Sequence, residues 1–543
     1  MAHGAPPPDE QVTVLRGGTV WLGPGTRTHA LAMRGPTVVA LGDDALALAA
    51  SGSVVDLGGG LLLPGFSDGH CHPPQGGLEL AGPLISGLTS VDAIVAEVGR
   101  FAAAHPELAW IKGGSYDATL VEGGRFDAAW LDAVVPDRPV MLRAQDYHTL
   151  WCSSLALARA GVTAATPDPA LGRIDRNPDG SPLGTLREWQ ACDLVLDVAP
   201  PWTLEQQTDA LAAACASMNA FGVTWMQDAW VEAGGHLPYL ELLRRGDLTV
   251  RADLAWLARP ETWREDLPTA LRQRAEVDAA GAPRILTART VKLFADGVIE
   301  SGTADMLEPY LGTHDHGMAV WAPGELAAAV AHVDSLGFQV HLHAIGDAAV
   351  RRSLDAIEHA VTVNGPRDRR PVITHVQLVD PADLPRFAAL GVVASVQSFW
   401  AQQDEVMVAL TAPRLGPDRT ARQYPIRTLH DLGGAIATAS DWPVSTNDPL
   451  EAVVVAATRQ TPAGEPAGGW VPHERLPFEL GLRAATAGGA FQGFTDMFRG
   501  SLAVGAEADL VWYDRDVTAG PDLAARDAVV RGTWLAGRQV YAR

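Results

Sequence analysis

Lysine is almost missing from this chain of 543 residues: it occurs only at Lys112 and Lys292, and arginine supplies every other one of the 41 basic residues. Basic charge of either kind is outweighed, because 64 acidic residues leave a formal net charge of −23 at pH 7. That balance argues against nucleic acid or an anionic membrane surface as a partner, since either requires a basic patch. Cysteine is scarce as well. Cys71, Cys152, Cys192 and Cys215 are scattered and form no CxxC pair, so they read as ordinary buried thiols in a reducing compartment. No apolar run is long and clean enough to span a bilayer. The opening "MAHGAPPPDEQVTVLRGG" also lacks the basic-then-apolar order of a secretory leader. The expectation is an acidic, soluble, cytoplasmic protein that works on a small molecule, with a homodimer as its expected assembly.

What is present is a globular composition, 47% hydrophobic and 19% charged, in a chain long enough for more than one domain. Short β-type runs separated by glycine turns open the chain ("QVTVLRGGTVWLG", "HALAMRGPTVVALG") and return at its end ("DLVWYDRD", "GTWLAGRQVYAR"). They suggest one β domain assembled from both termini, residues 1–62 plus 498–543. Between them, apolar β-branched runs alternate with Ala/Leu/Arg-rich stretches of helical period, the pattern of βα units around a parallel sheet. Eight buried-strand candidates follow in order: 61–70, 222–229, 248–257, 289–297, 338–347, 371–378, 392–399 and 435–444. Eight is the number a (β/α)8 TIM barrel requires, and 63–497 is its expected extent. The first two strands are separated by an α/β insertion, residues 75–205, about one extra domain in length.

The ends of those strands carry chemistry. The first ends in His70-Cys71-His72, the fourth holds Lys292, the fifth His343, the sixth His375 and the eighth Asp441. Barrel active sites lie at the C-terminal ends of the strands, so all of these side chains except that of Cys71 converge on one mouth. Alternation puts His70 and His72 on one side of their strand and turns Cys71 away as a packing thiol. Imidazoles and a carboxylate suit a divalent ion, with zinc the default. Taken singly, each has a plainer reading: an HxH pair at the surface, Asp441 as a helix cap, His375 as a satisfied core histidine. Six compatible residues at strand ends outweigh those readings together.

"PGFSDGHCH", "VKLFADG", "HLHAIGD", "ITHVQL", "SDWP" and "GSLAVGAEADLVWYD" resemble, in order, the signature segments of the amidohydrolase superfamily. The closer likeness is to its amidohydrolase-3 branch, which includes N-substituted formamide deformylases, and "DYHTLWCSSLALARAGV" in the insertion fits that branch. The resemblance implies a TIM barrel, a β-sandwich built from both ends, and hydrolysis of a C–N bond in an amide-type substrate: an N-substituted formamide, N-acyl amine, carbamate or cyclic amide. It implies that His70, His72 and Asp441 hold one zinc ion and His343 and His375 a second. Lys292, carboxylated by carbon dioxide, bridges them, and Asp441 carries the proton as base and then acid. Arginine cannot take that place, because its guanidinium stays protonated and is a poor nucleophile. The segment "ADGVIESGTADMLEPY" departs from the branch at Glu300-Ser301-Gly302, where basic or small residues are common, which leaves open whether a relative's substrate carries over.

Other residues are weaker candidates. Trp230, Trp400 and Trp442 follow barrel strands and are candidates for a leaving-group pocket, against simple packing. Asp146 and His148 end an inserted strand over the mouth, as substrate-binding groups or a solvated loop. Asp347 reads as an N-cap or a ligand's partner, Glu188 is undecided, and His314 and His316 lie in a glycine-rich loop and are discounted. The alternative function is a mononuclear deaminase of the same superfamily. Such enzymes carry a glutamate soon after the fifth-strand histidine and lack the lysine, unlike "HLHAIGDAAV" and Lys292 here. A non-catalytic scaffold is the remaining reading; it would have lost ligands that this chain keeps.

Overall fold

The computed structural model describes residues 11–520 and 522–543; the first ten residues of the expected terminal β domain, with the apparent lack of a leader, lie outside them. Eight parallel strands form the central sheet: β1 (Phe66–Cys71), β2 (Val223–Val231), β3 (Arg251–Ala258), β4 (Leu286–Phe294), β5 (Gln339–Ala344), β6 (Val372–His375), β7 (Val393–Val396) and β8 (Ala435–Thr438). Each pairs with its sequence neighbour, and the sheet curls into a nearly closed barrel. The seam between β8 and β1 is closed at the mouth, where Asp441 N donates to His70 O and His72 N to Trp442 O, both at 2.8 Å. Near-continuous burial along β1, β2, β5 and β6 is the mark of parallel strands covered on both faces.

Chain segments from both ends build a second sheet of eight strands. Its N-terminal part includes Val12–Gly23, Thr26–Arg34 and Leu61–Pro64; its C-terminal part is Leu510–Tyr513, Val530–Leu535 and Arg538–Ala542. The two parts join where Leu61–Pro64 runs antiparallel to Leu510–Tyr513. Alternation along the first strand sends Val14 into one apolar cluster and Leu15 into another. The sequence leads one to expect a sandwich of two sheets; hydrogen bonding links seven of these strands in a single path, and Ser53–Asp56 branches from it beside Val12–Gly23. The first barrel candidate, 61–70, is in fact two strands, one in each sheet. The chain crosses between them at Gly65, whose N donates to Asp509 O at 2.8 Å.

The segment between β1 and β2 carries its own five-stranded sheet, ordered Arg173–Arg176, Pro182–Arg187, Thr149–Cys152, Val140–Ala144 and Ile111–Tyr116. Helix Val91–Ala104 packs on it, with Ser90 capping Ala93 N and Ile94, Val98 and Phe101 buried on one face. The turn between Val140–Ala144 and Thr149–Cys152 places Asp146, Tyr147 and His148 at the barrel mouth. All four cysteines are free and buried. Among the described residues no helix is long and apolar enough to cross a membrane.

Candidate metal centre

A cavity of about 1120 Å³ opens at the C-terminal ends of the barrel strands, lined by His70, His72, His343, His375 and Asp441. His70 Nε2 and His72 Nε2 lie 3.2 and 2.9 Å from Asp441 Oδ1. The rings of His343 and His375 are 4.4 Å apart between centres, and that of His70 is 5.1 Å from His375. His375 and Asp441 sit in left-handed backbone, at φ 73° and 57°, conformations that cost a non-glycine residue energy and recur at functional sites.

Each of three imidazoles points one ring nitrogen away from the mouth, into a hydrogen bond. His343 Nε2 donates to Gly297 O at 3.1 Å, and His375 Nδ1 to Gln397 Oε1 at 3.0 Å. His70 Nδ1 meets His341 Nε2 at 2.7 Å. Metal-binding histidines engage their second nitrogen in this way. Burial, reinforced by the Lys292 charge, pushes His70 and His375 well below the usual histidine range; for His343, burial and His375 come first. They are neutral and free to ligate. Burial alone would raise the Asp441 carboxyl; a cation shared with His70 and His72 would hold it ionised. Its Oδ1, buried, has no hydrogen-bond donor, nor has His72 Nδ1 a partner. A buried carboxylate oxygen facing imidazole nitrogens at about 3 Å suits a shared cation, since zinc holds such atoms at about 2.0–2.2 Å each. The donor set therefore fits a divalent ion. One group among the described residues unites His70, His375 and Asp441, whose ligand atoms lie within 4.8 Å of one another. It thus places His375 with residues that the resemblance assigns to the other ion.

Lys292, on β4, is fully buried, and its Nζ has no hydrogen-bond partner. The amine sits 4.6 Å from the centre of the Phe294 ring, and burial pulls it down to about 7, only partly countered by Asp441.

Of the weaker candidates, Asp146, His148, Trp230 and Trp400 line the cavity. Trp400 stacks on His375, 5.6 Å between centres at 4°. Asp146 Oδ1 accepts from His148 N at 2.9 Å and so also holds its own turn. Trp442 is not part of the lining; its ring packs so closely on Gly76 that a Cβ there would fall 2.4 Å away. Asp347 begins a helix but is not its cap; its Oδ1 accepts from Leu307 N at 2.8 Å. His316 hydrogen-bonds Met306 O, outside the cavity lining. Cys71 is turned from the ligands, its Sγ 3.6 Å from Gln227 O.

Sequence reasoning left Glu188 undecided and missed Phe294 and His341. Glu188 Oε2 holds His148 Nδ1 at 2.8 Å. Phe294 packs between Trp189 and Trp230, with ring centres 4.7 and 5.3 Å away, and makes an aromatic wall. His341 lies behind His70. The HxH logic used for the first strand would have found it in "HLHAIGD".

A parallel barrel with imidazoles and a carboxylate gathered at its mouth carries the donor set of a metal site. The chain belongs to the amidohydrolase family, whose profile matches residues 53–541. It is 31% identical over 511 residues to Protein LONG AFTER FAR-RED 3 of Arabidopsis thaliana, covering 90% of this chain and 83% of that one. It is 26% identical over 529 residues to N-substituted formamide deformylase of Arthrobacter pascens, covering 92% and 91%. An uncharacterized metal-dependent hydrolase from Pyrococcus furiosus shares the fold with a TM-score of 0.71 at 24% identity, covering 93% of this chain and 99% of that one.

Proposed function

We propose that the protein is a zinc-dependent hydrolase that cleaves the C–N bond of an amide-type small molecule: an N-substituted formamide, N-acyl amine, carbamate or cyclic amide. The observation that carries this reading is the Lys292 amine, buried without a partner among neutral imidazoles. A lysine with a structural role would reach a carboxylate, a carbonyl or solvent. In its neutral form the amine suits attack on carbon dioxide: a C–N bond forms, one amine proton leaves, and the carbamate has two oxygens for two cations.

Divalent ions, when bound, polarise a carbonyl and make water acidic. His70, His72 and Asp441 would hold one and His343 and His375 the other, with carboxylated Lys292 between them. Asp441 accepts the proton of the attacking water and delivers it to the leaving nitrogen; a carboxylate and an amine are the products. Trp230, Phe294 and Trp400 shield the reacting group and seat an apolar substituent, in keeping with the substrate class in the name of the Arthrobacter relative. The reading includes a cytoplasmic location and a homodimer, the latter open to sedimentation.

Elemental analysis of wild type and Lys292→Arg, purified without chelator or affinity nickel, tests the core of it. Two ions per chain in wild type, falling in the variant, are expected, together with turnover in a panel of N-substituted formamides. One ion in both proteins would instead favour the mononuclear deaminase, for which the compact His70, His375 and Asp441 group already provides a site.

A further inference from the structure

Histidines two apart on a strand share a face, about one pleat from each other. On β5 this puts His343 at the mouth and His341 deeper in the barrel, where it is fully buried. Its two ring nitrogens have partners from two other strands. Nδ1 lies 2.7 Å from Gln227 Oε1, and Nε2 lies 2.7 Å from His70 Nδ1. The Gln227 amide cannot turn over freely: its nitrogen donates to Asp253 Oδ2 at 2.9 Å and Gln339 Oε1 at 3.2 Å. Its oxygen also accepts from Gln492 Nε2 at 2.7 Å.

An amide oxygen only accepts, so the proton of His341 is on Nδ1. No carboxylate contacts the ring to favour a second proton, and Nε2 is then the acceptor toward His70 Nδ1. His70 must therefore donate from Nδ1, and its own Nε2 is bare where it faces Asp441 Oδ1 at 3.2 Å. In the other tautomer, His70 would give Nε2–H to Asp441 and close the ligand pair with an internal hydrogen bond.

We propose that His341 is a positioning residue, which through Gln227 and Gln492 fixes the proton of His70 on Nδ1 and keeps Nε2 open for the metal ion. The inference rests on the metal-centre reading and is independent of the substrate and of the state of Lys292. A carboxylate is a common partner for a ligand histidine; an imidazole does the orienting here without adding negative charge beside Asp441.

Zinc affinity, read by competition with a chromophoric chelator, tests this in wild type, His341→Gln, His341→Asn and His341→Leu. Glutamine can place an acceptor near the position of the ring Nε2, whereas asparagine reaches only toward Gln227. The expected result is affinity within a few-fold of wild type for His341→Gln and about 10–100-fold weaker for the asparagine and leucine variants. Melting of the metal-free proteins monitors folding, and the visible spectrum of the cobalt-loaded forms reports ligand geometry. Should the leucine variant fail to fold, the glutamine–asparagine pair decides alone, since both keep a polar group in the layer. Equal affinities for those two variants overturn the inference and leave the metal centre standing. A wild type that binds no zinc overturns both.

Discussion

Glu188 has φ 61° and ψ 162°, a region that is essentially glycine's, at a cost of order 1–3 kcal/mol. Its carboxylate is used on both oxygens: Oε2 at His148 Nδ1, and Oε1 accepting from Thr303 Oγ1 at 2.6 Å. Gly297 makes room for that arrangement. A Cβ there would stand 2.3 Å from Thr303 Oγ1, 2.7 Å from Thr303 Cβ and 3.1 Å from Glu188 Oε1. Thr303 would have to move as a whole, so Gly297→Ala should destabilise the protein by about 1–3 kcal/mol, the usual cost of overpacking. An unchanged urea midpoint would mean that the Thr303 loop shifts freely and that Glu188 does not depend on it. The candidate ligands could be singled out in the sequence because histidine, lysine and aspartate fall at the ends of β1, β4, β5, β6 and just beyond β8. Glu188 could not, because its neighbours Thr303 and Gly297 are more than a hundred residues away, and no local pattern announces a strained backbone.

Strands were easier to read than their ends. The run "LLLPGFSDGH" is apolar throughout, and only pairing partners divide it, with Leu61–Pro64 matched to the C-terminal strand and Phe66–Cys71 to β2. A change of sheet within one apolar run leaves no change of period. Helix starts are clearer, because caps are local. The helix Pro449–Thr458, which follows the mouth loop after β8, begins at Asp448, whose Oδ1 accepts from Leu450 N at 2.9 Å. Burial raises that carboxyl to about 6, partly offset by the Leu450 N–H. The native state therefore keeps the proton up to about pH 6, whereas an unfolded chain releases it near 4. The sign follows: stability from this group is greatest at low pH and is lost as pH rises through that window. Asp448→Asn keeps a capping oxygen without the charge. Wild type should thus lose stability relative to the variant between pH 4 and 6, by no more than about 3 kcal/mol. Melting curves of the two metal-free proteins that stay parallel with pH would show that Asp448 ionises as it does in water.

Across the whole molecule, the terminal sheet is joined to the barrel by charge as well as by apolar packing. Arg251, at the start of β3, is fully buried and gives Nε to Asp509 Oδ2 at 2.7 Å, Nη2 to Asp509 Oδ1 at 2.8 Å, and a further bond to Glu507. Arg284 reaches Glu507 at 2.5 Å, and Arg499 lies 3.7 Å from Asp509. Asp509 also accepts from Ala536 N at 2.8 Å, so the cluster bridges a barrel strand and the loop between two strands of the terminal sheet. The β character of both chain ends is visible in their composition, but this junction is not, since its members are some 250 residues apart in sequence. Replacing one partner of such a cluster leaves buried charge behind, which costs about 3–5 kcal/mol, although the intact cluster adds far less to net stability. Arg251→Met should therefore lower the melting temperature markedly, and Asp509→Leu in the same chain should restore part of the loss by removing one stranded carboxylate. If sheet and barrel form one cooperative unit, the variant still unfolds in a single transition; if the cluster alone couples them, the terminal sheet melts first and the barrel survives it. A single variant that melts within a degree of wild type would show that apolar packing between sheet and barrel suffices without the arginine.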